Sequence, residues 1–393
     1  MNALERVLPP SAEVAADGHL SIGGCDLVDL AGAHGTPLVV YDEGLLRDTL
    51  RTWMEAFRAH RRDVDVFYAS KAYFGLAMLR LAADAGFGVD VASGGELAAA
   101  LRAGFPPERI ELHGNNKDAE EITAALDAGV GQVVVDSLDE IALLDRLARE
   151  RGIRQRVLVR VTPGVKPSTH SFISTGQLDS KFGFAVGCGA AARAVAACRA
   201  AEGIDLVGVH CHIGSQIFEL ASYPAAVTIV ADFVADMGGD DLTILNMGGG
   251  LGVAYTSQDE PPSVSHFADV LVEAVEREWA RIGRPVPHIQ VEPGRSIVAR
   301  AGVTVYRVGT VKEVPGIRTY VAVDGGMSDL LRPMLYGSVY EPLLANRADA
   351  ERTGTVRVVG KHCESGDVLV AEADLPDVRV GDLVCIPATG AYG

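Results

Sequence analysis

The chain has 393 residues, of which 48% are hydrophobic and 22% are charged, a composition typical of a globular protein with one large and one smaller domain. The formal net charge of −17 argues against a nucleic-acid partner and against binding to an anionic membrane surface. The sequence contains no run of about 18 apolar residues and therefore predicts no transmembrane span.

The six cysteines are scattered along the chain, and none belongs to a Cys-x-x-Cys pair. This spacing argues against a disulfide framework and against a structural zinc site. The N-terminal residues lack the basic start and the apolar run of a signal peptide. We therefore expect a cytoplasmic location.

Residues 20–42 consist of short β-branched runs separated by turns, a pattern typical of β structure. From residue 64 onward, such runs alternate with Ala/Leu-rich helical patterns, which indicates parallel β/α units. Eight units favour a closed (β/α)8 barrel. The alternative is a doubly wound open sheet, which requires no eightfold count. The predicted strands are 64–69, 88–93, 109–114, 132–137, 156–163, 206–214, 242–250 and 288–295.

After residue 296 the sequence contains strand-like runs and turns with little helix, which predicts an all-β region. The N-terminal stretch has the same pattern, so we expect a mostly antiparallel β domain built from both chain ends. The predicted fold is α/β, with residues 1–36 and 296–393 in the β domain and residues 37–295 in the barrel. A long loop, 164–182, follows the fifth strand, and loops of that length are usually functional or disordered.

Polar residues and glycines collect at the C-terminal ends of the predicted strands. In a parallel barrel these ends lie on one face, and that face carries the active site. One such residue could simply be a cap or a turn, but six strand ends together favour a site. They are Ser70-Lys71, Asp90 with Ser93–Glu96, His113–Asn115, His210–Ser215, Gly248–Gly250 and Glu292–Arg295.

Three of these groups suit pyridoxal 5′-phosphate. A desolvated lysine such as Lys71 can lose its proton near neutral pH and attack an aldehyde. The glycines at 248–250 expose backbone N–H groups before a helix, where a phosphate can bind. Glu292 could keep a ring nitrogen protonated, so that the ring withdraws electrons. The simpler interpretations are a salt-bridged lysine, a tight turn and an ion pair between Glu292 and Arg295.

Two further clusters leave alternatives open. His210 and His212 are two residues apart on one predicted strand, so both would point to the same face. They could bind zinc, or one ring could stack on a flat cofactor; we favour stacking and expect no metal, because Cys211 faces the other side. In the β domain, Cys363 is flanked by polar residues, which suits a proton donor better than a buried apolar side chain.

From about residue 36 to its end, the sequence resembles the pyridoxal-phosphate-dependent decarboxylases built on the alanine-racemase-like barrel (fold type III). Each shared motif is weak alone, but ten in order with compatible spacing are a specific signal. Family members normally continue beyond the last of them. The motifs are Tyr68-Ala-Ser-Lys71-Ala72, Ser93-Gly-Gly-Glu96-Leu97, His113-Gly-Asn-Asn-Lys117, the segment from His170 to Gly183, His212-Ile-Gly-Ser215-Gln216, Gly248-Gly-Gly250-Leu-Gly252, Glu292-Pro-Gly-Arg295, the segment from Asp324 to Pro333, His362-Cys363-Glu364-Ser-Gly-Asp367 and Thr389-Gly-Ala-Tyr392-Gly393.

The resemblance implies a role for each matching residue. Lys71 would carry the cofactor, His212 would stack on its ring and Glu292 would pair with the ring nitrogen. Cys363 would be the proton donor. The implied cofactor contacts also include Ser215, Gly248, Gly249, Gly250, Gly294, Arg295 and Tyr392, and the implied substrate contacts are Arg295, Arg332, Tyr336, Glu364 and Tyr392.

The resemblance also implies a reaction and an assembly. We expect decarboxylation of an amino acid whose far end carries both an ammonium and a carboxylate, because Arg295 and Arg332 accompany Glu364. The alternatives are an ornithine- or arginine-type decarboxylase, a racemase, which Glu292 disfavours, and a non-catalytic cofactor-binding protein, which the β domain disfavours. The expected assembly is a homodimer with composite sites, in which Cys363 serves the cofactor of the partner chain.

Overall fold

The structure of the chain is a computed structural model that describes residues 4–60, 64–165 and 180–392. It divides into two compact units. The barrel unit comprises Leu50–Gly252 and Pro262–Gly294, and the β unit comprises Met1–Thr49, Val253–Pro261 and Arg295–Gly393. Most of the predicted long loop 164–182 lies outside the described residues.

Parallel strands form the closed wall of the barrel unit, which confirms the predicted barrel and excludes the open sheet. Each strand pairs with the next, and the eighth pairs with the first. Their residues are almost all buried, because helices cover the outside and side chains fill the inside. The strands are Val64–Ala69, Gly88–Val91, Ile110–Leu112, Gln132–Val135, Gln155–Thr162, Ile204–His210, Ile244–Asn246 and His288–Val291, and the short strand Phe184–Ala185 pairs with the fifth.

Helices alternate with these strands, and their N-caps show why they begin where they do. The side chains of Ser93, Ser137 and Ser263 each accept the N–H of the residue three positions later, and Asp118 forms a capping box with Glu121. Each cap is worth about 1 kcal/mol. No described helix is both long and apolar enough to cross a bilayer. The helices are Leu76–Asp84, Gly94–Ala103, Ala119–Ala128, Leu138–Glu150, Ala190–Ala200, Ser222–Met237 and Val264–Arg281, with Glu43–Arg58 before the first barrel strand and 3-10 turns at Ser70–Ala72 and Pro107–Arg109.

Several barrel strands end earlier than the sequence predicted. The predicted strand 242–250 is extended only over Ile244–Asn246, because Gly248 and Gly250 have φ angles of +65° and +121° that a strand does not accommodate. The predicted strand 206–214 likewise ends at His210. The polar residues therefore lie at or just beyond the strand ends, in the connections that carry barrel active sites.

The β unit contains two sheets and short helices, and it is built from both chain ends as predicted. Its strand pairs are antiparallel, except that Arg318–Val323 pairs parallel to Gly354–Val359. The small sheet is Glu13–Val14, Leu20–Ile22 and Cys25–Asp26; the large sheet has the order Leu343–Leu344, Leu383–Ile386, Gly302–Val314, Arg318–Val323, Gly354–Val359 and Val368–Leu375, with Leu38–Tyr41 paired to Gly302–Val314; the helices are Leu27–His34, Arg295–Val298 and Arg332–Tyr336.

The compact units divide the chain at positions that differ from the predicted domain limits 36/37 and 295/296. The strand Leu38–Tyr41 pairs with residues 302–305 and so lies in the β unit. Residues 253–261 also belong to the β unit, where Ser257 donates hydrogen bonds from its N–H and Oγ to Glu341, at 2.7 and 3.0 Å. Short apolar runs have the same sequence pattern in either domain, so the sequence does not show which strands pair. The pairing partners in the structure therefore decide the domain limits.

Candidate active site

Lys71 lies directly beyond the first barrel strand, in the 3-10 turn Ser70–Ala72. Its Nζ is 2.7 Å from Oδ2 of Asp90, and its side chain is 42% exposed whereas that of Asp90 is 1% exposed. The neighbouring Ser70 donates to Oε2 of Glu96 at 3.0 Å, and the same oxygen accepts the N–H of Ala92 at 2.6 Å. These contacts therefore connect the ends of the first two strands. The accessible amine of Lys71 lies between those ends.

Glu292 follows the eighth strand and is buried in the barrel interior. Its Oε1 lies 3.1 Å from Nε2 of both His113 and His210 and accepts a hydrogen bond from Nδ2 of Asn246 at 2.7 Å. Burial opposes ionisation, but the histidines outweigh it and hold the pKa of Glu292 well below its ordinary value. Glu292 is therefore a buried carboxylate in its ionised form.

The positive charge opposite Glu292 belongs to His113. Burial alone would lower the pKa of His113, but the carboxylates of Asp90, Glu292 and Glu111 raise it to about 10. Burial lowers the pKa of His210 to about 4, so His210 is the neutral member. Glu111 is itself buried, and burial raises its pKa to about 7 although His113 acts in the opposite direction.

The Gly248–Gly250 segment is packed so closely that side chains would not fit. A Cβ at Gly248 would lie 2.7 Å from Nδ1 of His212, and one at Gly249 would collide with the carbonyl oxygen of Glu292. The N–H of Gly249 points to Nδ1 of His212 at 3.3 Å. Burial, followed by the charge of Lys71, lowers the pKa of His212 well below its ordinary value, so the ring is neutral and uses Nδ1 as an acceptor.

The prediction that His210 and His212 share one strand is wrong. The strand ends at His210, which contacts Glu292, while His212 lies beyond it against Gly248 and Gly249. His113, His210 and Glu292 have ligand atoms within 4.8 Å of one another. With His113 protonated and His210 neutral, the set consists of one cation, one neutral ring and the Glu292 carboxylate.

Two other predicted cofactor residues occupy the same barrel unit. Gly294 packs against the first strand, where a Cβ would lie 3.0 Å from the carbonyl oxygen of Ala69. The N–H of Ala69 also donates to the carbonyl of Pro293 at 3.0 Å. Ser215 is partly buried beyond the sixth strand. The end of the last strand is thus held against the end of the first, next to Lys71.

In the β unit, two predicted arginines converge on one tyrosine. Arg295 donates to the hydroxyl of Tyr255 at 2.5 Å and lies 4.7 Å from the ring centre of Tyr392. Arg332 lies over the Tyr255 ring at 4.1 Å and donates from Nη1 to Tyr340 at 3.0 Å. Among the described residues, Nε of Arg332 is buried and has no hydrogen-bond partner. Tyr336 ends the short helix Arg332–Tyr336.

Cys363 and Glu364 are exposed on a loop that Asp367 holds in place. The buried Asp367 accepts the N–H of Met327 at 2.7 Å and the N–H of His362 at 3.0 Å. This carboxylate therefore joins the loop to the turn that precedes the Arg332 helix. Cys363 is therefore exposed to solvent, unlike an inert buried thiol.

Sequence reasoning placed Asp90 and His113 at the strand ends without assigning them a role, and it did not identify four other residues: Glu111, Asn246, Tyr255 and Tyr340. Two of them had a usable signal, because Glu111 and Asn246 are polar residues in otherwise apolar strands, where a polar group requires a partner. Tyr255 had none, since only the fold brings it to Arg295 and Arg332.

Comparisons with known proteins agree with one another. Residues 43–299 match the family described as pyridoxal-dependent decarboxylase, pyridoxal binding domain. The diaminopimelate decarboxylase of Bacillus subtilis (strain 168) is 48% identical over 379 residues, which cover 96% of this chain and 86% of the other. Among solved structures, that of the M. jannaschii diaminopimelate decarboxylase in complex with L-lysine has a TM-score of 0.90 at 35% identity, covering 98% of this chain and 88% of the other. The Helicobacter pylori diaminopimelate decarboxylase complexed with L-lysine has a TM-score of 0.84 at 32% identity, covering 93% and 89%.

Proposed function

This chain belongs to the pyridoxal-dependent decarboxylases, and from this premise we propose that it converts meso-diaminopimelate into L-lysine and CO2 in the cytoplasm, the last step of lysine biosynthesis. It is a carboxy-lyase with pyridoxal 5′-phosphate as its cofactor. The observation that carries the substrate assignment is the 48% identity to a diaminopimelate decarboxylase over 96% of the chain.

Two features of the barrel unit support this cofactor. The buried, ionised Glu292 suits a protonated ring nitrogen. The Gly248–Gly250 segment has no side chains, so that a phosphate can approach its backbone closely. In this proposal Lys71 holds the aldehyde carbon and the neutral His212 lies against the ring. Ser215, Gly294, Arg295 and Tyr392 complete the cofactor contacts. When bound, pyridoxal phosphate supplies the sink for the electron pair that departing CO2 leaves on Cα.

In this proposal, residues of the chain position the cofactor and the substrate, and they transfer protons. Glu292 keeps the proton on the ring nitrogen, because its buried carboxylate remains ionised. Lys71 would hold the cofactor and would exchange with the amine of the substrate or product, and Asp90, 2.7 Å from Nζ, would pair with the ammonium of the free lysine. Cys363 donates the proton from Sγ to Cα after CO2 has left.

Recognition of the substrate's far end requires a cation and an anion together. Arg332 is buried, oriented by Tyr340, and retains an unpaired Nε among the described residues, so it can bind a carboxylate. Glu364 is exposed and can bind the distal ammonium. Arg295, Tyr336 and Tyr392 contribute further substrate contacts in this proposal.

The proposed assembly is a homodimer with two composite sites. Each site takes Lys71 from one chain and Cys363 with Glu364 from the other. The exposed position of Cys363 and Glu364 in the single chain supports this assembly, because a proton donor must be shielded from bulk water when it acts. The family resemblance supports it independently.

A panel of amino acids tests the function. Purified protein is incubated with pyridoxal phosphate and each amino acid, and released CO2 is measured. We expect release from meso-diaminopimelate and little from ornithine, arginine or L-lysine, because a buried polar site discriminates by roughly 10⁴–10⁵ against a substrate without the matching group. Faster release from ornithine or arginine would overturn the substrate assignment, and no release from any amino acid would favour a non-catalytic binding protein.

A further inference from the structure

Asn246 joins the two ends of the proposed cofactor site. Its Nδ2 donates to Oε1 of Glu292 at 2.7 Å and to Oε2 of Glu111 at 3.0 Å. Its Oδ1 accepts the N–H of Gly248 at 2.8 Å. A single buried amide therefore bridges the Glu292 carboxylate and the N–H of Gly248, whose carbonyl also accepts the backbone N–H of Glu292 at 2.9 Å.

His113 lies among three carboxylates. Its Nε2 is 3.1 Å from Oε1 of Glu292, 3.5 Å from Oε1 of Glu111 and 3.8 Å from Oδ1 of Asp90. Other ionisable groups near this cluster are the ring of His210, 4.9 Å from the His113 ring, and Lys71, which is paired with Asp90. His212 and Arg160 also interact electrostatically, with Glu292 and with His210 respectively. Without a cation at His113, the buried carboxylates could not all remain ionised.

We propose that His113 and Asn246 are positioning residues for Glu292, and that Glu111 holds both of them. His113 supplies the charge that keeps the Glu292 carboxylate ionised, and Asn246 fixes where that carboxylate lies relative to Gly248. The inference rests on the proposed pairing of Glu292 with the ring nitrogen. A neutral Glu292 would lack the negative charge that favours a protonated ring nitrogen, so the pairing requires groups that keep Glu292 ionised.

The charge of His113 can be measured without cofactor. Histidine side chains are labelled with 13C and 15N, and the imidazole signals of the cofactor-free protein are recorded at pH 8, with H113Q used for assignment. We expect His113 to be protonated in the wild type and partly neutral in E111Q. The matched control is H288Q, because His288 begins the strand that leads to Glu292 and pairs with Asp65 at 2.9 Å. A neutral His113 in the wild type at pH 8, or an unchanged His113 in E111Q, would overturn the proposal.

The role of Asn246 is tested by cofactor affinity. The Kd for pyridoxal phosphate is measured by absorbance for the wild type, N246A and the control Q132A, which removes a buried amide that bonds Gln290 at 2.8 Å. We expect N246A to bind at least about tenfold more weakly, since hydrogen bonds to charged groups are lost, and Q132A to bind like the wild type. If N246A does not fold, N246S replaces it. Unchanged affinity in the folded variant would overturn the role of Asn246.

Failure of the proposed function gives a result different from failure of this inference. In that case the wild type would release no CO2 from meso-diaminopimelate, while His113 would still be protonated in the cofactor-free protein.

Discussion

The ammonium of Lys71 lies 2.7 Å from a carboxylate oxygen of Asp90, and strand pairing explains why. Ala69, the last residue of the first barrel strand, is paired in register with Asp90 of the second strand. Lys71 follows two residues later, so its side chain can reach back to its neighbour. The Asp90 side chain is buried, while the amine of Lys71 remains accessible.

We predict that Lys71 carries the cofactor. Reduction with borohydride followed by peptide mapping should place the pyridoxyl mass on Lys71. Lys117 is the internal control, because its ammonium is buried and donates to Glu140 and to two backbone carbonyls. A label on Lys117 or on the exposed Lys181 would contradict the assignment.

Arg332→Ala and Glu364→Ala should each damage substrate recognition more than cofactor binding. Each variant leaves a charge of the substrate unpaired, so kcat/KM should fall by the equivalent of about 2–5 kcal/mol. The Kd for pyridoxal phosphate, measured in parallel, should change little. The proposed recognition of the far end fails if either variant retains wild-type kcat/KM for diaminopimelate.

Composite sites predict complementation between two inactive variants. Lys71→Ala and Cys363→Ala should each be nearly inactive, because one lacks the cofactor lysine and the other lacks the proton donor. After the two are unfolded, mixed equally and refolded, half of the dimers should be mixed, and each of these has one intact site. About a quarter of all sites should then be active if assembly is random.

The readout is the specific activity of the mixture, with dimers confirmed by sedimentation. Each variant refolded alone is the control. Dimers without recovered activity would mean that Cys363 serves its own chain.

The buried ion pair between Lys117 and Glu140 should be costly to break from one side. Burial lowers the pKa of Lys117 and raises that of Glu140, but each charge partly compensates the other. Lys117→Met should therefore destabilise the protein by about 3–5 kcal/mol, because it leaves a buried carboxylate unpaired, and adding Glu140→Gln should recover part of the loss.

Denaturant unfolding measures both changes. The matched control is Arg146→Met, which breaks the exposed pair with Glu150 and should cost about 0–1 kcal/mol. Equal losses for Lys117→Met and Arg146→Met would show that burial does not strengthen the dependence on the partner.

The sequence by itself determined the fold class and the main chemistry of the site. Strand and helix periodicities identify β/α units directly, because each period follows from local backbone geometry. The barrel rule then places all strand ends on one face, which groups Lys71, the Gly248–Gly250 segment and Glu292 without coordinates. The motifs around these residues were enough to indicate the family.

Only the tertiary structure decided the charges and the partners inside the barrel. Glu111 and Asn246 come from different strands, and their hydrogen bond depends on barrel closure, which no local pattern encodes. The same closure brings His113 among three carboxylates, so its charge results from burial and Coulomb interactions between residues distant in sequence. The misassignment of His212 to the sixth strand shows the same limit, because a strand ends where its pairing ends, and pairing is a property of the assembled sheet.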